Sequence, residues 1–362
     1  MARVLLILFL LTAAAPPQAG AAPADPPPHP YCGSIEAPPF SDLTEVKRRP
    51  CAPRSRSYKP KHHGIGFEAL DLESEACFVP DKSYRLLDDV IDAVLQRLAE
   101  TVPPPAENSK ADWYLAISRI TGDVLEAKGF ELFIPTDTLG DTLTAHYDYS
   151  GKPHYIFDCD TSSLILLTVA EVLSLPASMV DITLPGGDGH NYVRWQVDAE
   201  TAIDWDTNGR AQCTTPPDLP SYEGKNLSRE QTIALVRMLR IPLWEQQGSF
   251  VRAIDGHREA MRSFPEYPSI YNDFAWLVAT KDFPERANYK DEALAAAKKA
   301  VSLNRIPEYL DTLACVYALA GDFEQAVAHQ YEVLTGAPAE EAFAERALLF
   351  KAIPPKNCTG EE

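Results

Sequence analysis

The sequence predicts an α+β domain followed by an all-α domain of helical repeats, and three observations predict it. A short apolar run, Tyr155-Ile156-Phe157, turns at Asp158-Cys159-Asp160 into a long apolar stretch, with a glycine-rich loop and an alternating hairpin downstream. Two amphipathic helices precede that segment. From about Ser228 the chain reads as helix to its end and repeats itself. The predicted units are a signal peptide at 1–21, a proline-rich arm at 22–62, the α+β domain at 63–222, the repeat domain at 223–355 and a tail at 356–362.

The elements follow in order. Asp81 to Glu100 carries Leu86, Leu87, Val90, Ile91, Val94, Leu95 and Leu98 at three- and four-residue steps, the period of an amphipathic helix. Pro103-Pro104-Pro105 ends it. A second helix spans Ser109 to Lys128, and Gly129 suits its C-terminal cap. Phe130 to Leu143 is mixed and is expected to pack against the helix that follows Cys159. Ser163 to Leu175 is apolar almost all round, as a helix buried on most sides must be. Met179 to Leu184 reads as a strand and Pro185 to Gly189 as a flexible loop. Asn191 to Val197 and Thr201 to Asp206 alternate as a hairpin around Asp198-Ala199-Glu200. A three-residue loop there sets Arg194 opposite Asp204, Tyr192 opposite Asp206 and His190 opposite Asn208.

In the helical half, Gly248-x-Phe250-x-x-Ala253 recurs as Gly321-x-Phe323-x-x-Ala326. Pro268 to Ala279 aligns with Pro307 to Ala318 at an offset of 39 residues, with a longer loop from Thr280 to Tyr289 inside the middle unit. Small residues at helix crossings, a glycine between helices and a proline after each pair resemble the tetratricopeptide repeat. Two and a half to three units are present, the least that makes a stable stack.

Bulk properties narrow the function. The net charge of -19 repels phosphate backbones and anionic lipid surfaces, so nucleic-acid and membrane-surface roles are excluded. Met1-Ala2-Arg3, the apolar Val4 to Ala15 and the small residues Ala19-Gly20-Ala21 read as a secretory signal peptide, with no membrane insertion after cleavage. A secreted or periplasmic location is therefore expected, where disulfides persist. Seven cysteines leave one over. Three disulfides with Cys159 free is one arrangement; Cys159 paired with Cys213, another thiol being free, is the other. Cys358 is placed to bridge to Cys315 and pin the last helix. The eight histidines include no His-x-x-x-His and the cysteines no Cys-x-x-Cys, so no metal site is expected, and nothing implies an organic cofactor. The adjacent His62 and His63 read as a surface loop.

Cys159, His190 and Asp204 are the candidate catalytic residues, with Asp206 as the alternative third member and Asn208 as a further substitute. A thiol becomes a nucleophile as its thiolate, which a helix N-terminus and a neighbouring imidazole both favour. Asp158 and Asp160 oppose it by setting negative charge beside the sulfur, unless Asp160 caps the helix, with Thr161 and Ser162 as alternative caps. His190 opens a strand after three glycines in five residues and can face the helix start. Asp204 could orient the ring or merely pair with Arg194.

Cys159-Asp160-Thr161-x-Ser163, then Gly189-His190-x-x-Val193-Arg194-Trp195, then Ile203-Asp204-Trp205-Asp206-Thr207-x-Gly209, resembles bacterial transglutaminase-like proteins that carry tetratricopeptide repeats. The resemblance covers about residues 80 to 345. It implies a papain-like α+β core in which a helix bearing cysteine packs on an antiparallel sheet bearing histidine and aspartate. In that alignment Asp204 takes the usual triad place and Asp206 the acidic position after tryptophan. The implied chemistry is acyl transfer on peptide or side-chain amides, with water or an amine as acceptor. Family members also include proteins with no catalysis. Two functions therefore stand open: a cysteine hydrolase or acyltransferase acting on a peptide or protein substrate, with repeats that recruit a protein partner through their groove, or an idle scaffold whose repeats alone bind protein.

Overall fold

The computed structural model describes residues 56–101, 110–132, 138–144, 147–149, 152–183, 189–207, 214–215, 225–336, 341–352 and 358–359. The signal peptide, most of the proline-rich arm, Cys32, Cys51, the loop at 184–188, Asn208 and Cys213 lie outside the described residues.

The first helices form a scaffold. α1 (Ile65–Ala76) was not anticipated from the sequence; α2 (Asp81–Thr101) and α3 (Lys110–Ala127) follow the expected stripes. Gly129 ends α3 at φ 85, a conformation that a side chain disfavours, and its N–H meets the Glu126 carbonyl at 2.9 Å. Residues 56–62, the end of the predicted arm, are docked on α2. The buried Asp88 carboxylate accepts from the Tyr58 hydroxyl (2.7 Å), the Lys61 N–H (2.9 Å) and the His62 N–H (3.1 Å). His62 Nε2 lies 2.7 Å from Asp92.

Two sheets follow. β1 (Phe130–Leu132), β2 (Tyr147–Tyr149) and β3 (Lys152–Phe157) form a small one in the order β1-β3-β2, and α4 (Leu139–Thr142) lies between β1 and β2 in the chain. β3 runs directly into α5 (Cys159–Val172), where every residue from Thr161 to Ala170 is buried. The larger sheet is antiparallel: β7 (Thr214–Thr215), β6 (Ala202–Trp205), β5 (Gly189–Gln196), β4 (Ala177–Thr183) and β8 (Lys225–Asn226), in that spatial order. The β5–β6 register pairs Arg194 with Asp204 and Val193 with Trp205, as a three-residue loop dictates.

α5 is the spine of this half. It packs on β4 and β5 and on α1. At the α1 crossing the Gly66 N–H donates to Thr168 Oγ1 (2.8 Å), and a Cβ on Gly66 would sit 2.5 Å from that oxygen. Only glycine allows so close an approach. Glu73, fully buried on α1, accepts from the Leu139 and Gly140 N–H groups at the start of α4 (2.9 and 2.8 Å). Across the sheet, buried Trp195 stacks on Tyr114 with centroids 5.1 Å apart, and its Nε1–H donates to Ser118 Oγ at 2.9 Å. These ties join α1 to the later turns of α5, α1 to α4, and β5 to α3.

The remainder is helical. α6 (Arg229–Met238) begins with a capping box between Ser228 and Gln231. α7 (Arg240–Gln246) packs with α8 (Phe250–Ser263), α9 (Pro268–Thr280) with α10 (Lys290–Leu303), and α11 (Pro307–Leu319) with α12 (Phe323–Gly336); α13 (Glu341–Phe350) covers the last pair. Pro268 and Pro307 open their helices in the first turn, where the missing N–H costs nothing. Ala275, Ala279, Ala293, Ala297, Ala314 and Ala326 are buried, and such small side chains let the helices approach closely. The longer middle loop folds as a 3₁₀ turn (Arg286–Tyr289), and buried Arg286 donates to the Val278 and Ala279 carbonyls (2.9 and 2.5 Å). A disulfide joins Cys315 on α11 to Cys358, with Cα atoms 5.4 Å apart. Cys77 is also disulfide-bonded. The stack has its own apolar core, while its Phe264 and Ile270 belong to the core of the α+β half. Among the described residues no helix is long and apolar enough to cross a membrane.

Candidate functional site

Cys159 is the first residue of α5, half-buried and free. A pairing with Cys213 is therefore excluded. Its position is set by the residue before it. Asp158 is the N-cap: its carboxylate accepts from the Thr161 N–H (3.0 Å), and the Thr161 hydroxyl accepts from the Asp158 N–H (3.0 Å). This capping box replaces the expected caps, Asp160, Thr161 or Ser162, because Asp158 has the extended backbone that a cap requires. The Cys159 sulfur thus stands at the positive end of a 14-residue helix.

His190 enters from β5 and Asp206 from the residue just past β6. Their contact, His190 Nε2 to Asp206 Oδ2, is 3.0 Å, with the ring 12% and the carboxylate 29% exposed. The Cys159 side chain is the other polar group acting on the His190 ring. With Nε2 engaged by Asp206, Nδ1 is the nitrogen left for the sulfur. Burial opposes the charged ring, but Asp206, and after it Cys159, outweigh it and lift the imidazole to about 10.

Asp204 goes elsewhere. Arg194 lies directly opposite it and grips it with a fork, Nε to Oδ1 at 2.7 Å and Nη2 to Oδ2 at 2.8 Å. Tyr192 sits beside that pair, its phenol pushed up to about 12 by burial and then by the Asp204 charge. So Cys159, His190 and Asp206 are brought together, and Asp204 is not brought to His190. Asp206 follows the last residue of β6, and its carboxylate meets the ring there. Thr207 completes the tether: its hydroxyl accepts from Ser162 Oγ (2.6 Å) and lies 3.2 Å from Ser163 Oγ. Both serines were visible in the sequence only as helix residues.

A further carboxylate group surrounds this line. Asp160 on α5 is hydrogen-bonded by the Asn191 side-chain amide. Burial pushes the Asp160 carboxyl up to about 7, the Asp158 charge adding to the effect. Asp181, opposite Asn191 on β4, is also raised by burial, with the Tyr267 phenol, at the turn between α8 and α9, acting against the rise. Asn191 is 3% exposed, and its Oδ1 has no partner. Sequence reasoning missed Asn191; the residue next to a candidate histidine was its one signal.

No family model matches the chain, and no curated protein matches it. Among solved structures it is similar to a thermophilic TPR protein of Thermus thermophilus, at 16% identity and a TM-score of 0.25, covering 79% of this chain and 98% of that one.

Proposed function

We propose that the chain is a secreted or periplasmic cysteine hydrolase or acyltransferase of the transglutaminase-like type, acting on peptide or side-chain amides. The α+β half, with its cysteine helix packed on an antiparallel sheet, is read as the transglutaminase-like core, and the stack as tetratricopeptide repeats offering a groove to a protein partner. The observation that carries the reading is the 3.0 Å contact between His190 and Asp206, with the free Cys159 at the start of α5 as the other polar group acting on the ring.

In this mechanism the sulfur adds to the amide carbonyl and the carbonyl oxygen gains negative charge. The Cys159 N–H, at the helix start and pointing along the axis, is the donor placed to receive that charge. Collapse breaks the C–N bond, and the imidazolium of His190 gives its proton to the departing amine. Neutral His190 then takes a proton from water or an acceptor amine, which attacks the thioester and frees the sulfur. Asp206 keeps the ring in one orientation and stabilises its charged form. Arg194 and Asp204 brace β5 against β6 behind it.

The test is incubation with casein, reading released ammonia, new amino termini and incorporation of a labelled amine. One of these signals is expected from the native chain and none from Cys159→Ala; equal signals from both would overturn the reading. The scaffold reading is kept by one observation, the carboxylates of Asp158 and Asp160 flanking the sulfur. It predicts no turnover and a cellular phenotype that Cys159→Ala leaves intact.

A further inference from the structure

We propose that the start of α5 carries a subsite for a protonated amine on the substrate, formed by Asp160, Asp181 and the unpaired carbonyl oxygen of Asn191. The inference rests on the thiol reading above and adds what the site selects. The ammonium is a recognition handle and stays protonated; the acyl acceptor is a separate matter.

Asn191 carries the argument. It is 3% exposed, its Nδ2 donates to Asp160 Oδ1, and its Oδ1 is buried without a partner. A buried acceptor left unpaired costs about 1–3 kcal/mol, which a ligand N–H would relieve. The carboxamide is held by its bond to Asp160 on α5, and Asn191 lies directly opposite Asp181 across β5 and β4. An N–H donor of positive charge suits that setting, and an anion or a bare acceptor does not.

The surroundings agree. Asp160 feels the charges of Asp158 and Asp181, and Asp181 that of His190, so these groups share one field. Burial drives both Asp160 and Asp181 up, while His190, and at Asp181 also Lys225, act in the opposite direction. The cationic side chains nearby are committed. Arg194 is held by Asp204, Lys225 pairs with Glu266 and lies over the Tyr267 ring, and His190 serves Asp206 and Cys159. Among the described residues no group of three or more His, Cys, Asp or Glu is arranged to hold a metal ion.

The experiment compares Cys159 alkylation by 2-bromoethylammonium, iodoacetamide and iodoacetate, each rate divided by that of N-acetylcysteine amide. It is run at 0.15 M salt, where the net charge of the whole chain is screened beyond about 8 Å. The cationic reagent is expected to outpace the neutral one at least tenfold, with iodoacetate slowest. Asn191→Leu and Asp160→Asn should each bring the ratio toward one. As a check that needs no variant, n-butylammonium should slow the iodoacetamide reaction of the native chain and n-butanol should not. Normalised rates that ignore charge, variants that leave the preference intact, or no protection by the alkylammonium would overturn the inference while the thiol reading stood. A Cys159 inert to all three reagents would overturn both.

Discussion

Exchanging one carboxylate for an amide separates the two candidate aspartates. Asp206→Asn removes the negative charge facing His190 Nε2 at 3.0 Å and leaves a neutral acceptor. A hydrogen bond to a charged group contributes about 1.5–3 kcal/mol, and the 29% exposure of Asp206 argues for the lower end. Since about 1.4 kcal/mol corresponds to one pKa unit, the His190 midpoint should fall from about 10 toward about 9. Asp204→Asn should leave that midpoint within about 0.3 of a unit and instead lower stability by roughly 1–2 kcal/mol, because it opens the partly buried fork of Arg194. The assay is the NMR titration of the His190 ring protons in each protein, with thermal melts alongside. Refutation would come from Asp204→Asn moving the midpoint as far as Asp206→Asn, or from neither moving it.

Three further outcomes follow from the fold. His257 is 4% exposed with both ring nitrogens unpaired, so His257→Leu should stabilise the stack by about 1–3 kcal/mol, read from urea midpoints. Burial lowers that imidazole to about 4. The unfolded chain, near 6.5, then binds the extra proton, and stability is full above pH 6.5 and lost as pH falls toward 4, a loss His257→Leu should reduce. His190 acts at the other end of the scale: its raised value contributes stability that is full below pH 6.5 and lost as pH rises through about 10, a slope Cys159→Ser or Asp206→Asn should flatten in alkaline melts. Breaking the Cys315–Cys358 bridge, which spans 43 residues, should cost up to about 4 kcal/mol, seen as a lower melting temperature in Cys358→Ser.

What could be read from the sequence was what local periodicity and loop length determine. The stripe of α2, the buried α5 and the β5–β6 register all came from spacing, and the three-residue loop alone set Arg194 against Asp204. That same pairing already occupied Asp204, and the resemblance to a family pulled the other way. The physical reason the site uses Asp206 lies past the strand end, where Ser162 and Ser163 tie Thr207 to α5 over more than 40 residues of chain. α1 was missed because its defining contact is between elements: Gly66 against Thr168 fits only once α5 is in place. The cap was missed because three polar candidates lay together, and only the extended backbone of Asp158 selects it. Asn191 was missed because an asparagine on a strand carries no signal until its carbonyl is found buried and unpaired. The bridge from Cys315 to Cys358, by contrast, was legible as a way to pin the last helix.

The central claim is that His190 activates Cys159 as a nucleophile. Its most direct test is the rate at which iodoacetamide labels Cys159 at pH 7, followed by peptide mass mapping, in the native chain and in His190→Ala. The account predicts a rate at least tenfold lower in the variant. Equal rates would contradict it.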